Sequence, residues 1–166
     1  MNPSCKIFTR FAGGTGLLLA ATLFISGCAS ADKPASASFA GVIISNHTPQ
    51  EIRTATDAVF QQNGYRAGGE QDGALVYERE ATEREQRQYA GFVGAHEGEK
   101  VNIRVRVRIE ARNSTSYWLT CKAYAVCNPG QPVFETVTAL FGFQSGPYEK
   151  LLAKVKGTVG LPAVTP

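Results

Sequence analysis

The chain is poor in the side chains that do chemistry. Its 166 residues include two histidines, four cysteines, one methionine and one tryptophan. The patterns G-x-S-x-G, H-E-x-x-H and C-x-x-C are all missing, which leaves acyl transfer, zinc hydrolysis and dithiol exchange without a recognisable motif. Charge of one sign is missing too: 17 Lys and Arg face 14 Asp and Glu, whereas a nucleic-acid partner calls for a strongly basic domain. No apolar run reaches the roughly 20 residues that cross a bilayer.

The few reactive residues do not assemble in sequence. His47 stands directly before Thr48, a helix cap, and reads as a loop residue. His96, Glu97 and Glu99 in "AHEGE" form a loose metal candidate within one loop, without defined spacing or a second ligand group. "GGEQDG", Gly68 to Gly73, lacks the strand-to-helix setting of a phosphate loop and reads as a turn. The expectation is a protein that is not an enzyme and holds neither cofactor nor metal.

What is present first is a leader. Lys6 and Arg10 precede a short apolar core, Leu17 to Ile25, with Gly13, Gly14 and Gly16 before it; each glycine weakens a helix by about 1 kcal/mol relative to alanine. A positive start, a short apolar core and small residues behind it mark a secretory signal peptide. The core ends in "LFISGCAS", Leu23 to Ser30. There Ile25, Ser26, Gly27 and Cys28 resemble the lipobox of bacterial lipoproteins, in which an aliphatic residue and two small ones precede a cysteine. That resemblance implies a diacylglyceryl group on the Cys28 sulfur, cleavage after Gly27 and acylation of the new amino terminus. The competing reading is an ordinary signal cut at an A-x-A-like site, Ala29 to Ala31. One acyl chain binds a membrane only marginally, at about 0.8 kcal/mol per buried methylene, so two or three chains make the anchor. In Gram-negative lipoproteins an aspartate after the cysteine retains the protein at the inner membrane. Here Ala29 stands there, so the resemblance implies the outer membrane, with the domain facing the periplasm.

Signal removal takes Lys6 and Arg10 from the 17 basic residues, leaving 15 against 14 acidic ones and a net charge of +1. Domain organisation follows. Residues 1–27 are the signal. Residues 28–38, the lipidated cysteine and "ASADKPASAS", have no apolar face and read as a flexible tether. Residues 39–161 form one domain, and 162–166 are expected to be a disordered tail.

Cys5 leaves with the signal and Cys28 takes lipid, so only Cys121 and Cys127 could pair in an oxidising periplasm. If one strand runs from Tyr117 to Val126, a rise of about 3.3 Å per residue places the two α-carbons roughly 20 Å apart, while a disulfide needs about 7 Å or less. A bend after Ala125 would bring them together; otherwise they are two buried thiols on one sheet face.

Gly41 to Ser45 predicts a first strand. Thr48, Pro49 and Glu51 make a capping box with proline at the first helical position, and Ile52, Ala55, Val59 and Phe60 follow at helical spacing. Gly64 predicts the left-handed cap, with Tyr65 packing back on the last turn. Strands at Tyr65 to Gly68 and Ala74 to Glu80 come next. Thr82 to Lys100, polar apart from Tyr89, Phe92 and Val93, reads as a long loop with a helical turn near Glu83 to Gln88. Val101 to Arg112, "VNIRVRVRIEAR", alternates almost strictly, and Tyr117 to Val126 continues the pattern. Val133 to Thr138 reads as a further strand, and a last helix begins at Pro147, burying Tyr148, Leu151, Leu152, Val155 and Val159.

Both helices need an apolar sheet face, and the alternating strands offer one. The expected fold class is therefore α+β, a two-layer sandwich with an antiparallel sheet of four to six strands and two helices on one face, in the order β-α-β4-α. That element order resembles the helix-grip and TATA-box-binding-protein-like domains found in lipoproteins of outer-membrane assembly.

The other sheet face carries Arg104, Arg106 and Arg108, about 7 Å apart along their strand, with Trp118, Lys122 and Tyr124 on its neighbour. Arginine with exposed aromatics is the composition of binding hot spots. The plainer reading pairs the arginines with Glu78 and Glu80 across the sheet, at about 1 kcal/mol or less each. The functional expectation is an outer-membrane-anchored, periplasmic binding or scaffold module. Its membrane contact is the lipid on Cys28, and its partner is an envelope protein or an anionic envelope component. The alternative is a carrier of an apolar or lipid ligand held between sheet and last helix, with Phe134, Phe141 and Phe143 at the mouth.

Overall fold

The computed structural model describes residues 39–96 and 99–161, all within one unit of the chain, Ala31–Pro166. The signal, Cys28 and the tether, Glu97 and the tail 162–166 lie outside the described residues. Strand β1 (Ala40–Ser45) leads to helix α1 (Pro49–Gln62), strands β2 (Arg66–Gln71) and β3 (Ala74–Glu80) and helix α2 (Glu83–Val93). Strands β4 (Val101–Ala111), β5 (Ser116–Cys127) and β6 (Thr136–Ala139), a 3-10 turn (Gly142–Gln144) and helix α3 (Gly146–Thr158) follow.

The six strands form one antiparallel sheet in the order β1-β5-β4-β3-β2. β1 and β6 share the outer edge of β5: β1 pairs with Ser116 to Cys121, and β6 with Tyr124 to Cys127. On one face Val101, Ile103, Val105, Val107, Leu119, Cys121, Ala123 and Ala125 are buried. Against them pack Ile52, Val59 and Phe60 of α1 and Leu151, Leu152 and Val155 of α3. Phe60 is the hub, with ring centroids 4.4 Å from Tyr77 and 5.2 Å from Tyr65. Truncating a core side chain such as Leu152, fully buried, would cost about 2 to 5 kcal/mol, because the cavity refills only in part. The α+β sandwich stands, with all helices on the apolar face.

Local signals resolve as read at α1. Thr48 Oγ1 accepts from Glu51 N–H at 3.2 Å, and the Glu51 carboxylate accepts from Thr48 N–H at 2.7 Å. Gly64 takes φ +83°, and Tyr65 N–H reaches back to Phe60 O at 3.0 Å.

Three boundaries differ. Residues 82–100 are not one long loop: α2 spans eleven of them, capped by a second box in which Glu85 N–H donates to Thr82 Oγ1 at 3.3 Å. The box was visible in sequence as Thr82-x-x-Glu85, but only Tyr89 and Val93 of this helix are buried, so it lacks the long apolar stripe that betrays a helix. β2 runs on to Gln71, because the turn needs only Asp72 (φ +53°) and Gly73 (φ +70°), the left-handed pair of a two-residue hairpin. β6 starts three residues later than expected. Phe134 and Glu135 N–H both donate to Gln131 O at 2.8 Å, which curls Val133 and Phe134 into a turn.

Candidate functional site

Register decides what the arginine strand can do. Arg104 lies opposite Tyr124, Arg106 opposite Lys122, Arg108 opposite Thr120 and Glu110 opposite Trp118. Residues directly opposite share a face, so the structure brings all six expected residues onto the side of the sheet away from the helices. It also divides them into a closed end and an open one.

The closed end is Arg104. Its Nε donates to Glu78 Oε2 at 2.7 Å, its Nη1 to Glu135 Oε1 at 2.7 Å and its Nη2 to Glu135 Oε2 at 3.2 Å. Glu78 comes from β3 as the plainer reading expects, whereas Glu135 arrives from the loop before β6. Hydrogen bonding to Glu135 first, and to Glu78, raises the Arg104 guanidinium above its ordinary value. The bond from Arg104, then that from Gly130 N–H at 3.0 Å, holds the Glu135 carboxyl below the ordinary carboxylate range. Arg104 is consumed by structure and has little left for a ligand. Glu80 pairs with Lys100 at 3.1 Å rather than with an arginine.

The open end is Arg106, Arg108 and Lys122. Arg106 Nη2 reaches only Gln71 Oε1, at 3.0 Å, and Arg108 Nη2 only the Asp72 carbonyl, at 3.3 Å. Lys122 is exposed. Among the described residues none of these three cations meets a carboxylate. The Arg106 guanidinium lies 5.6 Å from the centre of the Tyr124 ring, a cation-π arrangement that flattens the arginine against the sheet. Its Nε is sealed from solvent without a hydrogen-bond partner, as is Trp118 Nε1. Trp118 is half-buried rather than exposed, because Arg112 covers its ring at 5.7 Å.

The other expected residues fall elsewhere. Cys121 and Cys127 are free and buried, since β5 runs through both without the bend that pairing needs. His47 rests against Gly160, where an added Cβ would come within 2.9 Å of its Cε1. Glu99 is a clasp between loops: it accepts from His96 N–H at 2.8 Å and from Asn128 Nδ2 at 3.1 Å. Among the described residues no three His, Cys, Asp or Glu side chains converge to hold a metal ion, and no helix is long and apolar enough to cross a membrane.

Sequence reasoning missed a cleft of about 1020 Å³ at the end of β3, lined in part by Tyr65, Arg79, Glu85, Tyr148, Lys150 and Lys154. At its centre Arg79 and Glu85 bond twice, at 2.8 and 2.6 Å. Arg79 also lies 5.0 Å over the Tyr65 ring. Two groups that neutralise each other supply neither a poised acid nor a base. Phe134, Phe141 and Phe143 do not frame the mouth of a ligand-sized cavity: Phe134 is 68% exposed in the turn before β6, Phe141 stacks on Phe143 at 5.7 Å on the surface, and the crevice that Phe141 borders with Tyr89 and Phe92 holds only about 10 Å³.

No family model and no curated protein matches the chain. The solved adenylate sensor from AMP-activated protein kinase, in complex with 5-aminoimidazole-4-carboxamide 1-beta-D-ribofuranotide, is similar over 74% of this chain and 97% of that one. The identity is 13% and the TM-score 0.41, a likeness too loose to carry an argument.

Proposed function

We propose that the chain is a lipoprotein held through Cys28 in the outer membrane. Its periplasmic domain acts as a non-catalytic binding module for an acidic envelope protein or another anionic envelope component. The observation that carries this reading is the contrast across one sheet face: among the described residues Arg104 is satisfied by two carboxylates, while Arg106 and Arg108 beside it on β4 and Lys122 on β5 meet none. Cations left beside aromatic rings on a preformed sheet suit a partner that brings its own negative charge.

A carrier of an apolar ligand is less well supported. The space it would use, between the sheet and α3, is filled by Tyr148, Leu151, Leu152 and Val155.

The test is crosslinking and pull-down from intact cells with the full lipidated chain. Replacing Arg106→Ala and Lys122→Ala together should abolish recovery of the partner and leave Tm nearly unchanged. Undiminished recovery would sink this face as the binding surface.

A further inference from the structure

Three phenylalanines gather on the outside of the domain without a structural reason to be there. Phe92 is 53% exposed, Phe141 51% and Phe143 81%. Their rings nonetheless associate, Phe92 to Phe141 at 6.1 Å and Phe141 to Phe143 at 5.7 Å. The scaffold that displays them is fixed. Gln144, buried, accepts from Phe141 N–H at 2.7 Å, and its own N–H donates to Phe141 O at 2.8 Å. Phe92 is set by α2, whose Tyr89 and Val93 are locked into the core on either side of it. An associated apolar cluster held outward by buried polar bonds is a surface awaiting an occupant.

The path of the chain identifies the occupant. β1, the first described strand, begins with Ala40 opposite Cys121, and β6 ends with Ala139 opposite Tyr124. Three residues of β5 separate these points, about 10 Å, and Leu140 N–H bonds to Ala123 O between them at 2.9 Å. The start of β1 therefore lies next to Leu140, the neighbour of Phe141. Ten residues, 29–38, lie between Cys28 and Phe39, so the eleven steps reach at most about 40 Å even when fully extended.

We propose that Phe92, Phe141 and Phe143 form a membrane-docking face that sits in the interfacial zone of the bilayer to which Cys28 is attached. This rests on the lipoprotein reading above. Aromatic and apolar side chains partition into that zone, and the lipid anchor keeps the cluster within reach of it. The cluster belongs to the helix side, so docking leaves Arg106, Arg108 and Lys122 facing away from the membrane. A second copy of the chain fits less well. Rings of about 200 Å² each, already partly covered, offer less than half of the roughly 800 Å² per partner of a stable protein interface.

The test uses the full lipidated chain on vesicles of phosphatidylethanolamine with a minority of phosphatidylglycerol, plain or carrying brominated acyl chains. Phe143→Trp places a reporter at the most exposed ring, while the one native tryptophan, Trp118, reports from the opposite face. Bromine should quench Phe143→Trp several-fold more strongly than the wild type, and adding Phe92→Ser should weaken that quenching. Equal emission in both vesicle types, with the protein still floating with them, would overturn the docking face alone. Blue-shifted emission that rises with protein concentration and ignores bromine would mean a second copy covers the face, and would overturn it too. Failure to float at all would remove the anchor, and the docking face with it.

Discussion

Glu135 grips Arg104 through two parallel hydrogen bonds, at 2.7 and 3.2 Å, across a separation of 31 residues. The pair fastens the β5–β6 loop over one end of the arginine face and neutralises Arg104, whereas Arg106 and Arg108 meet no carboxylate among the described residues. Its energetic and functional roles are therefore separable from those of the open end.

Replacing Glu135→Gln should cost about 1 kcal/mol, the upper range for a solvent-touched ion pair. Amide exchange should accelerate across residues 128–135 while β4 stays protected. The urea midpoint and an exchange map check both. Partner recovery should persist, because Arg106 and Lys122 are untouched.

Acid should weaken the fold through Glu85 and Glu135. For Glu85, burial pushes the carboxyl up, but the bonds from Arg79 and Thr82 outweigh it and the net shift is downward from 4.5. For Glu135 the bond from Arg104 dominates, again downward from 4.5. A folded-state value below the unfolded one means stability that is complete above pH 4.5 and lost as pH falls through the folded values. Urea midpoints should stay level above that point and decline below it. The decline should be shallower in Glu135→Gln, which has one such carboxylate fewer.

The thiols should behave as two buried, unpaired groups. Burial pushes Cys121 up to about 12 and also raises Cys127, with Glu99 beside it. The thiolate is the reactive form, so neither should alkylate in the native domain at mildly alkaline pH. Both should react once urea unfolds it, without reductant. Mass spectrometry that finds a Cys121–Cys127 disulfide would contradict this.

The legible part of the fold was the part encoded within a few residues. The alternation in "VNIRVRVRIEAR" gave β4 and its two faces, since side chains of an extended strand must alternate. The Thr48 and Glu51 box and Gly64 gave α1 its ends, since capping groups act on their own turn. Helix α2 shows in the sequence only as a turn near Glu83 to Gln88, although its Thr82 and Glu85 box is equally local, because its buried contacts are few and its surface is polar.

The candidate site divides the same way. The sequence by itself determined that Arg104, Arg106 and Arg108 share a face with Trp118, Lys122 and Tyr124. It could not determine which arginine is taken, because the deciding partner, Glu135, comes from a loop 31 residues away. Nor could it place Arg112 over Trp118, or gather Phe92 with Phe141 and Phe143. Faces are a property of local backbone geometry. Neutralisation, cover and clustering depend on which distant segments the packed core brings within a few ångströms, and only the tertiary structure decides that.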